Sequence, residues 1–257
     1  MLFEREGAEV ELGPTLRKLV TAARFNPSLP YLSFLCINFD VPVIREAASW
    51  FLDGVFLNYN SSYLERMLEQ LLDEAESPEV TRFLRAVDVR IDGFRVEKAP
   101  EWRGQRVFVR HEVDGKGYEL RLSEESAGTQ KLMGLAAYLM TALERGATVV
   151  VDELDAKLHP KLLRYVILLF KDPEVNKSGA QLIFSSQDVS TMRNDVFRRD
   201  EIWFAARGEG EASQLWSLAD IHEANGNLVS KNAAFDKQYL SGRYGADPYL
   251  TRIEEWD

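Results

Sequence analysis

The sequence predicts an α/β fold, with a mostly parallel sheet flanked by helices. A helical segment and a small antiparallel sheet precede it. Three observations predict this. Beyond residue 122, helical periods alternate with short runs rich in β-branched residues, the pattern of a buried parallel sheet. Residues 87–122 alternate with period two, as strands with one solvated face do. Residues 1–86 carry apolar positions at helical spacing.

The elements follow in order. Residues 16–25 are expected to form a short helix, and 42–56 an amphipathic one. The latter places Val43, Ala47, Trp50 and Phe51 on its apolar stripe. A further helix is expected over 63–76, with Leu64, Met67, Leu68, Leu71 and Leu72 on one side. Ser77-Pro78 stops it and starts another over 79–86. Strands follow at 87–92, 106–113 and 118–122. Asp114-Gly115-Lys116-Gly117 makes a hairpin turn between the last two.

A helix over 128–144 comes next, ended by Gly146. A strand spans 148–152. The helix at 160–170 opens with Pro160, whose missing N–H costs nothing there. Strands at 181–186, 201–206 and 213–217 complete the series, with a short helix after the first. Two regions result: residues 1–86, a helical arm, and residues 87–257. The second subdivides into hairpins at 87–122, a central block at 123–190 and closing strands with a tail at 191–257.

Bulk chemistry narrows the function. In the 257 residues, Lys+Arg is 31 and Asp+Glu is 41, so the net charge is 31 − 41 = −10. An acidic chain without a basic block is not an obvious nucleic-acid binder. The one cysteine, Cys36, lies in an apolar run and reads as a buried structural thiol. His111, His159 and His222 have no metal-ligand spacing. His159, just ahead of Pro160, reads as a helix-start residue. The charged start, Met1-Leu2-Phe3-Glu4-Arg5-Glu6, is not a signal peptide. The longest apolar stretch, 133–143, is about half a membrane span. The chain reads as cytoplasmic and soluble.

Three segments could carry chemistry. The strand Thr148-Val149-Val150-Val151 runs into Asp152 and Glu153. Open α/β sheets bind ligands at the carboxyl ends of their strands. There one acid can hold Mg2+ and the next can activate a water. The bland alternative is a strand entering a solvated turn. Ser126-Ala127-Gly128-Thr129-Gln130 opens a helix, where free backbone N–H groups favour an anion. An ordinary capped helix would look similar. Finally, Leu182-Ile183-Phe184 ends in Ser185-Ser186-Gln187-Asp188, whose glutamine could position a water or sense a γ-phosphate.

In this order and spacing, the three segments resemble the carboxyl half of an ABC/SMC-like head of a P-loop NTPase. More closely, they resemble the AAA-type ATP-binding proteins of bacterial phage-defence and abortive-infection loci. The likeness covers roughly residues 115–250. It identifies Ser126–Gln130 as the signature, Val149–Asp152 as the Walker B strand and Leu154–Pro160 as the D-loop. Leu182–Asp188 becomes the switch strand. Arg198–Phe204 and Tyr239–Gly245 also resemble the family.

The resemblance implies ATP binding and hydrolysis with Mg2+ in a head-to-head dimer. Ser126, Gly128, Thr129 and Gln130 would bind nucleotide from the opposing subunit, and Asp155 would couple the two sites. Asp152 would hold Mg2+. Glu153 would be the catalytic base, and Gln187 would sense the γ-phosphate. A nuclease-type effector is a partner implied by analogy with the family.

Two departures matter. Gln187 stands where the family usually has histidine. Glutamine donates hydrogen bonds but does not titrate, so slow hydrolysis or an altered pH dependence is expected. The Walker A loop, Gly-x-x-x-x-Gly-Lys-Ser/Thr, is found nowhere in the 257 residues. That loop cradles phosphates and supplies the lysine. In the family its strand lies beside the switch strand. Strands 181–186 and 201–206 are therefore expected to flank a gap, and an amino-terminal segment on another polypeptide, or lost by truncation, to fill it. Two alternatives stand: a non-catalytic interaction module derived from such an ATPase, and an acid-pair metal nuclease.

Overall fold

The computed structural model describes residues 2–20, 25–58, 78–87, 91–98, 105–207, 212–223 and 226–246. A hairpin of β1 (Phe3–Glu6) and β2 (Glu9–Leu12) opens the chain. Helices α1 (Pro14–Arg17), α2 (Tyr31–Asn38) and α3 (Pro42–Gly54) follow. Leu16, Tyr31, Leu35, Val41 and Ile44 bury a small amino-terminal core between them.

The sequence expectations here need four corrections. In place of the helix expected over 16–25 stands the short α1, which ends at Arg17. The helix expected to reach residue 56 ends at Gly54, and β3 (Val55–Asn58) begins at once. Val55 and Phe56 are β-branched and aromatic, and a strand lets them pack on the sheet. The buried stripe of α3 is Ile44 and Ala48, whereas Val43, Trp50 and Phe51 are exposed. Cys36 is only partly buried, at the margin of the amino-terminal core. The helix expected over 63–76 lies outside the described residues.

Helix α4 (Pro78–Ala86) leads into an antiparallel sheet of β4 (Gly93–Lys98), β5 (Gln105–Val113) and β6 (Lys116–Arg121). The first strand of this sheet thus begins beyond the expected 87–92: residue 87 lies in a turn, and 91–92 are not in a strand. Val113 pairs with Lys116 across a two-residue turn, Asp114 and Gly115, both with positive φ (51° and 72°). Only such a turn matches the strand twist with so short a loop.

Helix α5 (Ala127–Arg145) is the spine of the main core. Leu132, Met133, Leu135, Leu139 and Ala142 are each at most 1% exposed. Gly146 ends it with φ 72°, where an added Cβ would strike the Ser178 carbonyl. Strand β7 (Thr148–Val151) follows and takes the centre of a parallel sheet ordered β3-β7-β8. Three of its four residues are buried, as a strand covered on both faces requires. Helix α6 (Pro160–Lys171) crosses over to β8 (Gln181–Phe184).

A separate pair, β9 (Trp203–Arg207) and β10 (Ser213–Ser217), is antiparallel and packs with α7 (Phe235–Leu240). Residue 201, expected to open the strand 201–206, instead ends a 3-10 turn (Arg199–Glu201), and β9 begins at Trp203. Glu201 is held there by Lys171 Nζ (2.7 Å) and by the Arg198 N–H (2.7 Å). No described helix is long and apolar enough to cross a membrane.

Strand β8 has one paired edge. The Gln181 and Ser185 N–H groups donate to the Ala147 and Val151 carbonyls of the β7 side. Leu182 and Phe184 therefore turn their N–H and C=O groups to the other edge. Among the described residues, no strand pairs there, and β9 pairs only with β10.

Tyr244 in the carboxyl-terminal core makes a direct prediction. Burial pushes its phenol up to about 12 from 10.0, and its hydroxyl donates to Gln238 Oε1 at 2.7 Å. The folded state thus holds the proton more tightly than the unfolded chain. This contribution to stability is complete below about pH 10 and is lost as pH rises toward 12. Absorbance titration of tyrosinate should show a late component that Tyr244→Phe diminishes by one tyrosine. An unchanged titration curve in that variant would disprove the assignment.

Candidate functional site

Strands β7 and β8 are parallel and in register, so their carboxyl ends come level. The chain leaves β7 through a continuous turn, 152–158, and leaves β8 at Ser185. A single hydroxyl joins the two exits. Ser185 Oγ donates to Asp152 Oδ1 (2.5 Å) and accepts the Glu153 N–H (2.8 Å). The Ser185 carbonyl accepts the Leu154 N–H (3.0 Å). These bonds place the adjacent acids, Asp152 and Glu153, at the crevice end of the sheet. Both are exposed.

Glu153 adopts φ 50°, a left-handed conformation that a non-glycine residue rarely takes. The cost is on the order of 1–3 kcal/mol and persists only where neighbours enforce it. Leu154, fully buried, anchors the turn in the main core just beyond it.

Asp155 faces the other exit. Its Oδ2 accepts the Gln187 N–H at 3.2 Å. Its Oδ1 is buried with no hydrogen-bond partner among the described residues. A buried carboxylate oxygen without a donor is costly, so it is a position at which an added donor would be stabilising. Gln187 is thereby fixed beside Asp155 through its backbone. Beyond it, Ser186 Oγ accepts the Asp188 N–H (3.0 Å), and Asp188 caps the following 3-10 turn.

The fourth segment is the start of α5. Ser126 is its N-cap, with Oγ accepting the Thr129 N–H (3.1 Å) and sharing a hydrogen bond with Thr129 Oγ1 (2.9 Å). Gln130 turns its Nε2 back onto the Glu125 carbonyl (2.7 Å) and the Ser123 carbonyl (3.4 Å). In this arrangement it braces the loop that enters the helix. Glu125 is further held by His111 Nε2 from β5, at 2.6 Å. Gly128 abuts the turn after β7: a Cβ built there would lie 2.9 Å from the Lys157 carbonyl. His159 caps α6 through Nδ1 (3.2 Å to Lys161 N), the helix-start role its place before Pro160 suggested.

The sequence-derived residues thus fall into one neighbourhood. At the exits of β7 and β8, Asp152 and Glu153 meet Ser185, and Asp155 meets Gln187. Ser126, Gly128, Thr129 and Gln130 stand at the helix start that packs on the same turn. Two residues were not found from the sequence. Ser185 looked like a generic polar strand end, and its bridging role depends on register. Lys131 falls within the helix expected over 128–144, where the sequence assigns it no role. Its Nζ donates to the Glu153 carbonyl at 2.6 Å. Burial pulls its pKa below the usual lysine value, opposed by Asp155 and Glu153.

Residues 22–193 match the family described as "AAA domain, putative AbiEii toxin, Type IV TA system". Among solved structures, one comes from work on ATP-driven dimerization and DNA-stimulated activation of SMC ATPases. It is 16% identical, over 62% of this chain and 89% of that one, with a TM-score of 0.40. Another is the Smc head domain with a coiled coil and joint derived from Pyrococcus yayanosii. It is 18% identical, over 63% of this chain and 28% of that one, also with a TM-score of 0.40. Neither likeness is close enough to bear on function. No curated protein matches the chain. The family match spans most of the chain, which belongs to this family of AAA domains, an ATPase-type, nucleotide-binding class.

The close seat of Gly128 on the turn is testable. Gly128→Ala would force the Lys157 carbonyl aside and should destabilise the chain by about 1–3 kcal/mol. Denaturant unfolding measures this. An unchanged midpoint would show that the helix start and the turn do not pack as described.

Proposed function

We propose that this AAA-family chain supplies the hydrolysis side of an ATP-binding and ATP-hydrolysing head. The observation that carries the reading is the Ser185 bridge. It holds two adjacent acids at the end of a buried parallel strand, beside Gln187 on the neighbouring exit.

The donor set fits Mg2+. Among the described residues there is no cluster of three or more metal-ligating side chains. An all-protein cage is therefore not on offer. Mg2+ is ordinarily held by one or two carboxylates together with nucleotide phosphates and water. Asp152, oriented by Ser185, is the carboxylate that would hold it. When bound, the ion would neutralise charge developing on the phosphates.

The chain's own residues do the rest in this reading. Glu153 accepts a proton from the attacking water and orients it. Gln187 donates a hydrogen bond toward the γ-phosphate. Ser126, Thr129 and the free N–H groups at the start of α5 present donors to the nucleotide of an opposing head. Gln130 stiffens that helix start. Asp155, joined to the Gln187 backbone, would couple the two sites, as the family resemblance implies.

The grip on the α- and β-phosphates is not in the sequence, since Gly-x-x-x-x-Gly-Lys-Ser/Thr does not occur in it. The edge of β8 along which no described strand pairs supports a place for it. A strand added there, carrying the loop at its carboxyl end, would set the phosphates against Asp152 and Glu153. Head-to-head self-association, a phage-defence role and a nuclease-type effector complete the proposal by family analogy. The second reading, a non-catalytic interaction module, is favoured by the same missing loop.

A complex reconstituted with a segment bearing that loop tests the reading. Glu153→Gln should lower ATP turnover by about a hundredfold or more and accumulate an ATP-bound dimer. Gln187→His should raise turnover or bend its pH profile. Wild-type turnover in Glu153→Gln would remove Glu153 as the base and favour the non-catalytic module.

A further inference from the structure

The backbone of Glu153 is held from both ends. Its N–H donates to Ser185 Oγ on the exit of β8. Its carbonyl accepts two donors: the Ala156 N–H at 3.1 Å within the turn, and Lys131 Nζ at 2.6 Å from helix α5. The Ala156 bond is local and travels with the turn. The Lys131 bond spans 22 positions and ties the turn to a different element. The residue so held is the non-glycine with φ 50°. Left-handed backbone at such a residue relaxes unless the surroundings over-determine it.

We propose that Lys131 is a positioning residue. It fixes Glu153 in its left-handed conformation and so sets the direction of the Glu153 carboxylate relative to the helix start at Ser126. The proposal rests on Glu153 being the catalytic base only for its consequence in turnover, not for its structural content.

The surroundings support this use of the lysine. Lys131 lies one residue beyond the Ser126–Gln130 helix start, on a helix whose following residues, Leu132 to Leu143, are largely buried. The stem therefore springs from a rigid base. The carboxylates of Asp155 and Glu153 attract the ammonium, and Lys157 opposes it. Lys157 itself has positive φ (64°), and its carbonyl is the atom packed on Gly128. The turn thus contacts α5 at two points, through Gly128 and through Lys131. Displacement of the helix start would pass to the peptide of Glu153 through Lys131.

The test reads the backbone first and activity second. In the full chain, the 13Cα and 13C′ shifts of Glu153 report its left-handed conformation. Lys131→Met should move them toward ordinary backbone values, while Lys131→Arg, which keeps a cationic donor, should retain them. Lys131→Gln serves if the Met variant does not fold. Unmoved Glu153 shifts in the Met or Gln variant would overturn the proposal. So would an Arg variant whose shifts move as far as those of Met.

In the complex reconstituted with a phosphate-loop segment, Lys131→Met should lower kcat about tenfold to a hundredfold, the scale of a misplaced catalytic group. The Kd for nucleotide should change less than about twofold, because a positioning defect spares ground-state binding. Wild-type kcat in Lys131→Met would overturn the consequence. If the Glu153 shifts respond but the wild-type complex hydrolyses no ATP, positioning by Lys131 stands and the ATPase reading falls.

Discussion

One hydroxyl sets the geometry of the site. Ser185 closes the exit of β8 onto the exit of β7, orients the Asp152 carboxylate and holds the Glu153 N–H. Because it contacts the side chain of one acid and the backbone of the next, it fixes their relation to each other. That relation exists only while β7 and β8 keep register, and a one-residue slip would turn every side chain to the opposite face. Register in turn rests on the burial of β7 and of helix α5 beneath it. The geometry at the crevice end is thus coupled to the main core through very few atoms.

A second consequence concerns strain. Glu153 and Lys157 both have positive φ within one turn of seven residues, 152–158. Neither is glycine, and each is held by contacts to another element or to the core. Such conformations cluster where a side chain must be aimed. Here the enforcing contacts come from β8 through Ser185, from α5 through Lys131, and from the core through Leu154. Two elements and the main core converge on a turn that carries three acids, Asp152, Glu153 and Asp155.

Much of this was legible in the sequence, for identifiable reasons. The Asp114-Gly115 turn, the Gly146 helix stop and the Pro160 helix start are each dictated by backbone chemistry, and each occurs where composition placed it. Asp152 and Glu153 were readable because an apolar run ending in acids is visible without partners. What was not legible depended on tertiary context. Strand β3 was hidden because Val55 and Phe56 continue the apolar pattern of α3, and only pairing with β7 makes them a strand. The exposed Trp50 and Phe51 broke the rule that the bulkiest residues mark the buried stripe. Ser185 and Lys131 act through bonds to residues 33 and 22 positions away, which no local pattern encodes.

In the proposed function this chain holds the acid and switch side of the site and takes its phosphate grip on the edge of β8 along which no described strand pairs. MgATP binding decides it most directly, measured by calorimetry on the chain alone and with a polypeptide carrying a strand and a Gly-x-x-x-x-Gly-Lys-Ser/Thr loop. The account predicts no saturable binding by the chain alone. It predicts binding when the segment is added, with the Leu182 and Phe184 amides then protected from hydrogen exchange. Saturable MgATP binding by the isolated monomer, or a segment that leaves both binding and those amides unchanged, would contradict it.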